Sequence, residues 1–123
     1  MTQIDGDEER EERITRKIVV DAYGAHERAL GWYYYLEGKI RVPFEARCIE
    51  KREVSPLEVG EEVRVEGMSS VKACQSEMFV TVDWMDSELG VPLAQLEPVE
   101  IDSDAEEAVA DWHYWAGRGY EFY

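Results

Sequence analysis

The sequence predicts an α+β domain: a small SH3-like five-stranded antiparallel β-barrel with N-terminal helices and a C-terminal helix. Three observations lead there. In residues 77–84, Met78, Val80, Val82 and Trp84 alternate with Phe79, Thr81 and Asp83, and period-two patterning with β-branched and aromatic residues marks a half-buried strand. The period changes to a helical one on both sides of the strand-rich middle. The chain has 123 residues, 45% of them hydrophobic, which suits one domain with a single core spanning 1–123.

Residues 1–7 offer little to pack and are expected to be disordered, with helical character over 8–38. Glu9 with Arg13 and Glu12 with Arg16 stand at i,i+4 in the favourable order. Ile14, Ile18, Val19 and Ala22 follow as an apolar stripe, and Gly24 reads as a stop. The run Ile18-Val19-Val20 could equally open a strand. A second helix is expected over 25–37, with Ala25, Ala29, Trp32, Tyr33 and Leu36 on one face and Gly38-Lys39 ending it.

Strands take over at 40–101, the expected barrel. In 40–51, Phe44, Ala46 and Cys48 share a face, and Pro43 confines the start to a strand entry or an edge. Residues 55–60 read as a loop and 62–67 as a strand with Val63 and Val65 inward. The strand at 77–84 turns at Asp86-Ser87-Glu88 and returns through Leu89-Gly90-Val91. A 3₁₀ turn over 92–96 and a short strand at 98–101 complete the set. The C-terminal helix is expected over 102–117, with Ser103 and Glu106 spaced as a capping box. Its stripe is Ala105, Val109, Trp112 and Ala116, and Gly117 ends it.

The net charge of −15 repels phosphate backbones, which argues against nucleic-acid binding. It attracts cations and basic partners, although an acidic surface adapted for solubility explains it equally well. No apolar run reaches the ~20 residues a membrane span needs, and the acidic start is no secretory leader. A cytoplasmic setting is expected, with Cys48 and Cys74 reduced and structural. His26 and His113 have no motif partner, and no nucleophile elbow, P-loop or dinucleotide fingerprint occurs. The chain is therefore read as non-enzymatic.

The remaining chemical signal is carboxylate clustering where strands and helices end. Asp83, Asp86 and Glu88 gather at the expected hairpin tip; Asp102, Asp104, Glu106 and Glu107 gather at the last helix start. Calcium is a hard cation taking roughly 6–8 oxygen ligands, so such loops suit it if the two clusters meet. The helix-start acids also complement the helix dipole without any metal, and Asp86 and Glu88 are ordinary turn residues. Asp5, Asp7 and Glu9 space like an EF-hand opening, but Arg16 stands where the loop needs its bidentate carboxylate. A second possibility is an interaction module in which Trp84, Tyr34 and Trp112 line a groove for a basic protein partner.

Several blocks together, IVVDAYGAHERALGWYYYLEGKI, VPFEARCI, SPLEVGEEVRVEGM, EMFVTVDW, VPLAQLEPV and DWHYW, resemble the cyanobacterial calcium-binding protein family, CcbP-like, over roughly residues 13–119. That resemblance implies a soluble intracellular calcium buffer or sensor that binds through surface carboxylates and becomes more compact on binding. In heterocyst-forming members it implies calcium sequestration during cell differentiation. It adds Glu37, after WYYYL, as a candidate ligand and places Asp111 within DWHYW. Gly38 stands where a further acid is common in the family.

Overall fold

The structure, a computed structural model, describes residues 4–20 and 24–117. Helix α1 (Ile4–Arg13) runs into one π-helical turn, Ile14–Ile18, and α2 (Ala25–Lys39) follows. Strands β1 (Phe44–Cys48), β2 (Glu62–Met68), β3 (Phe79–Trp84) and β4 (Ser87–Pro92) come next. A 3₁₀ turn at Leu93–Gln95 leads to β5 (Leu96–Pro98), and α3 (Ser103–Gly117) closes the described chain.

The strands form one antiparallel sheet in the order β4-β3-β2-β1-β5. The expected α+β class, strand number and antiparallel pairing are present, but the ladder is open. Closure would require β4 to pair with β5. Instead β5 is three residues long, pairs with β1 from Cys48↔Leu96 to Ala46↔Pro98, and gives way to α3.

Alternation decides which face is covered. Phe44, Ala46, Cys48, Val63, Val65, Val80, Val82 and Val91 are buried against the helical layer, while Glu45, Arg47, Glu62, Arg64 and Asp83 face out. Trp32 of α2 is fully buried. It meets Trp112 edge-on, with ring centroids 5.1 Å apart, and Trp115 at 5.6 Å. Such aromatic pairs add about 1 kcal/mol each beyond the area they bury, and here they join α2 to α3.

Local hydrogen bonds move several expected boundaries. Helix α1 begins at Ile4. Val19 N–H reaches back to Ile14 O at 3.0 Å, so Ile18-Val19-Val20 ends a helix and opens no strand. Gly24 starts α2 rather than stopping its predecessor, and its N–H donates to Glu27 Oε1 at 3.0 Å. Ala22 of the expected stripe lies outside the described residues. Ile40 N–H still donates to Leu36 O, so β1 cannot begin before the chain has left α2. The last strand ends at Pro98, with only Val99 N–H reaching Glu45 O beyond it. The α3 cap is Asp102, whose Oδ1 accepts from Ala105 N–H at 2.9 Å, in place of the Ser103 box.

A buried carboxylate ties the three helices together. Asp111 of α3 is 0% exposed. It accepts from Arg10 Nε at 2.7 Å, Arg13 Nη2 at 2.7 Å, Arg13 Nε at 2.9 Å and the Tyr35 hydroxyl at 2.9 Å. Burial alone would push this carboxyl up, but the bonds from Arg13, Arg10 and Tyr35 and the Arg13 charge outweigh it, and it titrates below the ordinary carboxylate range. The same bond to Asp111 raises the Arg13 guanidinium, while burial and then Asp111 raise the Tyr35 phenol.

Two outcomes follow from these contacts. A Cβ on Gly31 would stand 2.2 Å from the Ile18 carbonyl oxygen, so Gly31→Ala should destabilise by about 2 kcal/mol, read as a lower urea midpoint at unchanged slope. Asp111→Asn should cost on the order of 3 kcal/mol at pH 7, because it leaves two arginines without their shared partner. A depressed folded pKa contributes its full stability above the unfolded value of about 4, and loses it as pH falls through the folded value. The gap between wild type and Asp111→Asn should therefore narrow in urea melts as pH drops below about 4.

Candidate functional site

The solvent face of the sheet is built from rows of charge. Register aligns Glu88, Asp83, Arg64 and Glu45 across β4, β3, β2 and β1. A second row sets Arg47 between Glu62 and Glu97. Opposite charges placed directly across a ladder stabilise it and like charges destabilise it. Both arginines sit between carboxylates, whereas Asp83 and Glu88 oppose one another. Arg64 is shared further, its Nε lying 3.3 Å from Glu66 Oε2.

Beyond that acidic pair the hairpin turns on Met85 and Asp86, with φ of 51° and 65°. Two central residues at positive φ make the primed turn whose twist suits a two-residue hairpin. Ser87 and Glu88, expected in the turn, belong to β4 because Trp84↔Ser87 is already a ladder pair. Asp83, Asp86 and Glu88 are all exposed. The tip therefore presents three carboxylates to water, two of them cross-strand neighbours.

The α3 start is differently occupied. Asp102 uses Oδ1 as the helix cap and receives Arg41 Nε on Oδ2 at 3.0 Å. Asp104 and Glu106 lie in the first turn, where negative charge complements the helix dipole. Glu107 Oε2 is 3.6 Å from Arg13 Nη1. Glu37 is exposed near the end of α2, lining a recess of about 240 Å³ with Val42 and Met68. Its charge adds to burial in raising the Tyr33 phenol.

The tip lies on the β3–β4 edge of the sheet, and α3 follows β5 on the other edge. Among the described residues no group of three or more His, Cys, Asp or Glu side chains is arranged to hold a metal. The donors suit calcium in kind, since all are oxygens open to water. A cation at the tip would draw the rest of its shell from backbone carbonyls and water.

Other singled-out residues serve the fold. Trp112 is 2% exposed and belongs to the core, so it cannot wall a surface groove with the exposed Tyr34. Trp84 is half-buried and donates Nε1–H to Glu61 Oε2 at 2.9 Å. That bond, after the stronger effect of Glu58 N–H, holds the Glu61 carboxyl low. Cys48 and Cys74 are buried free thiols, and burial raises Cys74. His113 Nε2 lies 2.7 Å from Leu96 O, and His26 is exposed. Charge clustering missed the most heavily bonded acid, Asp111. Two sequence signals point to it: an aspartate within an apolar helical stripe, and Arg10 and Arg13 three apart on one helix face.

Comparison with known proteins adds a family to this geometry. Residues 12–116 match the CcbP family model, described as calcium binding. The crystal structure of Anabaena CcbP is 38% identical, covers 98% of each chain and superposes with a TM-score of 0.82. A calcium-binding protein in its calcium-binding form is also 38% identical over 98% of each chain, with a TM-score of 0.81. No curated protein matches. A match across most of the chain, on the same arrangement of helices and sheet, makes this protein a member of the CcbP calcium-binding family.

Proposed function

We propose that this protein is a non-enzymatic calcium-binding protein, an intracellular buffer or sensor whose ligands are exposed carboxylates rather than an EF-hand. The observation that carries the reading is the Asp83–Glu88 pair beside Asp86, on a chain of a calcium-binding family. Two carboxylates held opposite one another repel while empty, and a divalent cation between them removes that repulsion. Asp83 and Glu88 are the first-ranked ligands, with Asp86 next to them in the turn, and backbone carbonyls and water would complete the shell. Asp104, Glu106 and Glu107 form a second group with Asp102, where calcium would compete with Arg41. Glu37 ranks below both. No described helix is long and apolar enough to cross a membrane, and the two buried free thiols suit a reducing cytoplasm.

The meander with a 3₁₀ turn before its last strand supports an SH3-like chain path, and with it a second reading as an interaction module for a basic partner. The burial of Trp112 takes one wall from the groove that reading expected.

Calorimetric calcium titration of wild type against the Asp83→Asn, Asp86→Asn, Glu88→Gln triple variant tests the first-ranked site. Asn tolerates positive φ as Asp does, so the turn survives. The variant should lose about tenfold or more in calcium affinity. In chelator it should melt slightly higher than wild type, because the repulsion is gone. Unchanged affinity would remove the tip from the site. Unchanged affinity in the corresponding amide variant of Asp102, Asp104, Glu106 and Glu107 as well would overturn the carboxylate-cluster mechanism.

A further inference from the structure

A groove runs along the outer side of α3, away from the hairpin tip. Two neighbouring recesses of about 300 and 440 Å³ share Ile49 and His113 and lie between the end of β1, the 3₁₀ turn, β5 and α3. The first recess is mainly apolar, lined by Ile49, Pro98, Val109 and Ala110, whereas Glu50, Arg52, Glu77 and His113 make the second mainly polar. Ile49 is the large apolar side chain of this lining that stands exposed. It follows Cys48 at the end of β1 and leaves 42% of its surface in water. His113 is held as a fixed wall by the Leu96 carbonyl at 2.7 Å.

The rim is acidic. Glu97 and Glu106 border the first recess and Glu50 the second. Arg52 is the one Lys or Arg among the lining residues, and Glu77 grips it at 2.7 and 3.1 Å. Charge selects among possible occupants. A second copy of this chain would bring another −15 charge to an acidic rim, and an anionic lipid surface would be repelled in the same way. A segment with one apolar face and flanking lysines or arginines satisfies both floor and rim.

We propose that this groove docks a basic amphipathic helix from another protein, its apolar residues at i, i+3 or i+4 and i+7 over Ile49, Pro98 and Ala110, and its cations against Glu97, Glu106 and Glu50. The apolar floor supplies affinity, and the acidic rim supplies orientation and speed of encounter.

The test is fluorescence anisotropy of a fluorescein-labelled helical leucine–lysine peptide in chelator, so that the outcome does not depend on calcium binding. Wild type should bind the amphipathic peptide and discriminate against a scrambled one of equal charge. Ile49→Ser, a neutral change at an exposed position, should weaken binding about tenfold, as should Glu106→Lys. Glu9→Lys makes the same charge change on α1 and should alter binding less than about threefold. Equal binding of both peptides, or equal loss in Glu9→Lys and Glu106→Lys, would reduce the effect to net charge and overturn the proposal. So would self-association abolished by Ile49→Ser, which would give the groove to a second copy, or binding to phosphatidylserine vesicles abolished by it, which would give it to a membrane.

Discussion

The burial of Asp111 is the constraint on which the helical layer depends. The α1 sequence IDGDEEREER is charged almost throughout, so it has no apolar stripe with which to dock. Two arginines from α1 and the hydroxyl of Tyr35 converge on a carboxylate that water does not reach. Removing such a charge from water costs several kcal/mol, which excellent geometry and full hydrogen bonding must offset. Here both oxygens receive charge-assisted bonds, and the arginines keep 28% and 22% of their side-chain surface in water. The register of α1 against α2 and α3 follows from that one acceptor. Tyr114, whose hydroxyl donates to Glu11 Oε2 at 2.6 Å, reinforces it.

With the helices locked over one face of the sheet, the other face carries no apolar demand. Its positions are free to hold charge, and the register orders that charge into rows with arginines between carboxylates. Much of the net charge of −15 is therefore compatible with an ordinary solvated face. The Asp83–Glu88 opposition departs from that balance, next to a turn that spends positive φ on two non-glycine residues. As the proposed site, a pair that repels itself until a cation arrives would suit reversible calcium uptake. An acid engaged by both oxygens, as Asp102 is, suits structure first.

The strand faces were legible because burial imposes a two-residue period that Val63, Val65, Val80 and Val82 state plainly. The α3 stripe was legible for the corresponding helical reason. Boundaries were less so, because they turn on single hydrogen bonds. Asp102 displaced Ser103 as the cap because its longer carboxylate can meet Ala105 N–H and Arg41 together. The hairpin turn shifted to Met85-Asp86 because ladder pairing of Trp84 with Ser87 outweighed the turn preference of Ser87 and Glu88. Gly31 looks like a weak point in a helix until Ile18 is placed against it. Whether acids distant in sequence are neighbours is a property of the sheet order, which kept the tip and the α3 start on separate edges. The resemblance seen across the ordered blocks carried the family, and composition alone would not have done so.

Calcium is proposed to act through specific oxygen sites rather than through screening of an acidic surface. Thermal unfolding of chelator-treated protein against calcium, magnesium and sodium chloride of matched ionic strength separates the two. A ligand that binds only the folded state raises the melting temperature with its occupancy, so calcium should give a saturable rise, magnesium a smaller one and sodium chloride the least. Equal shifts from all three salts would reduce the effect to screening and contradict the account.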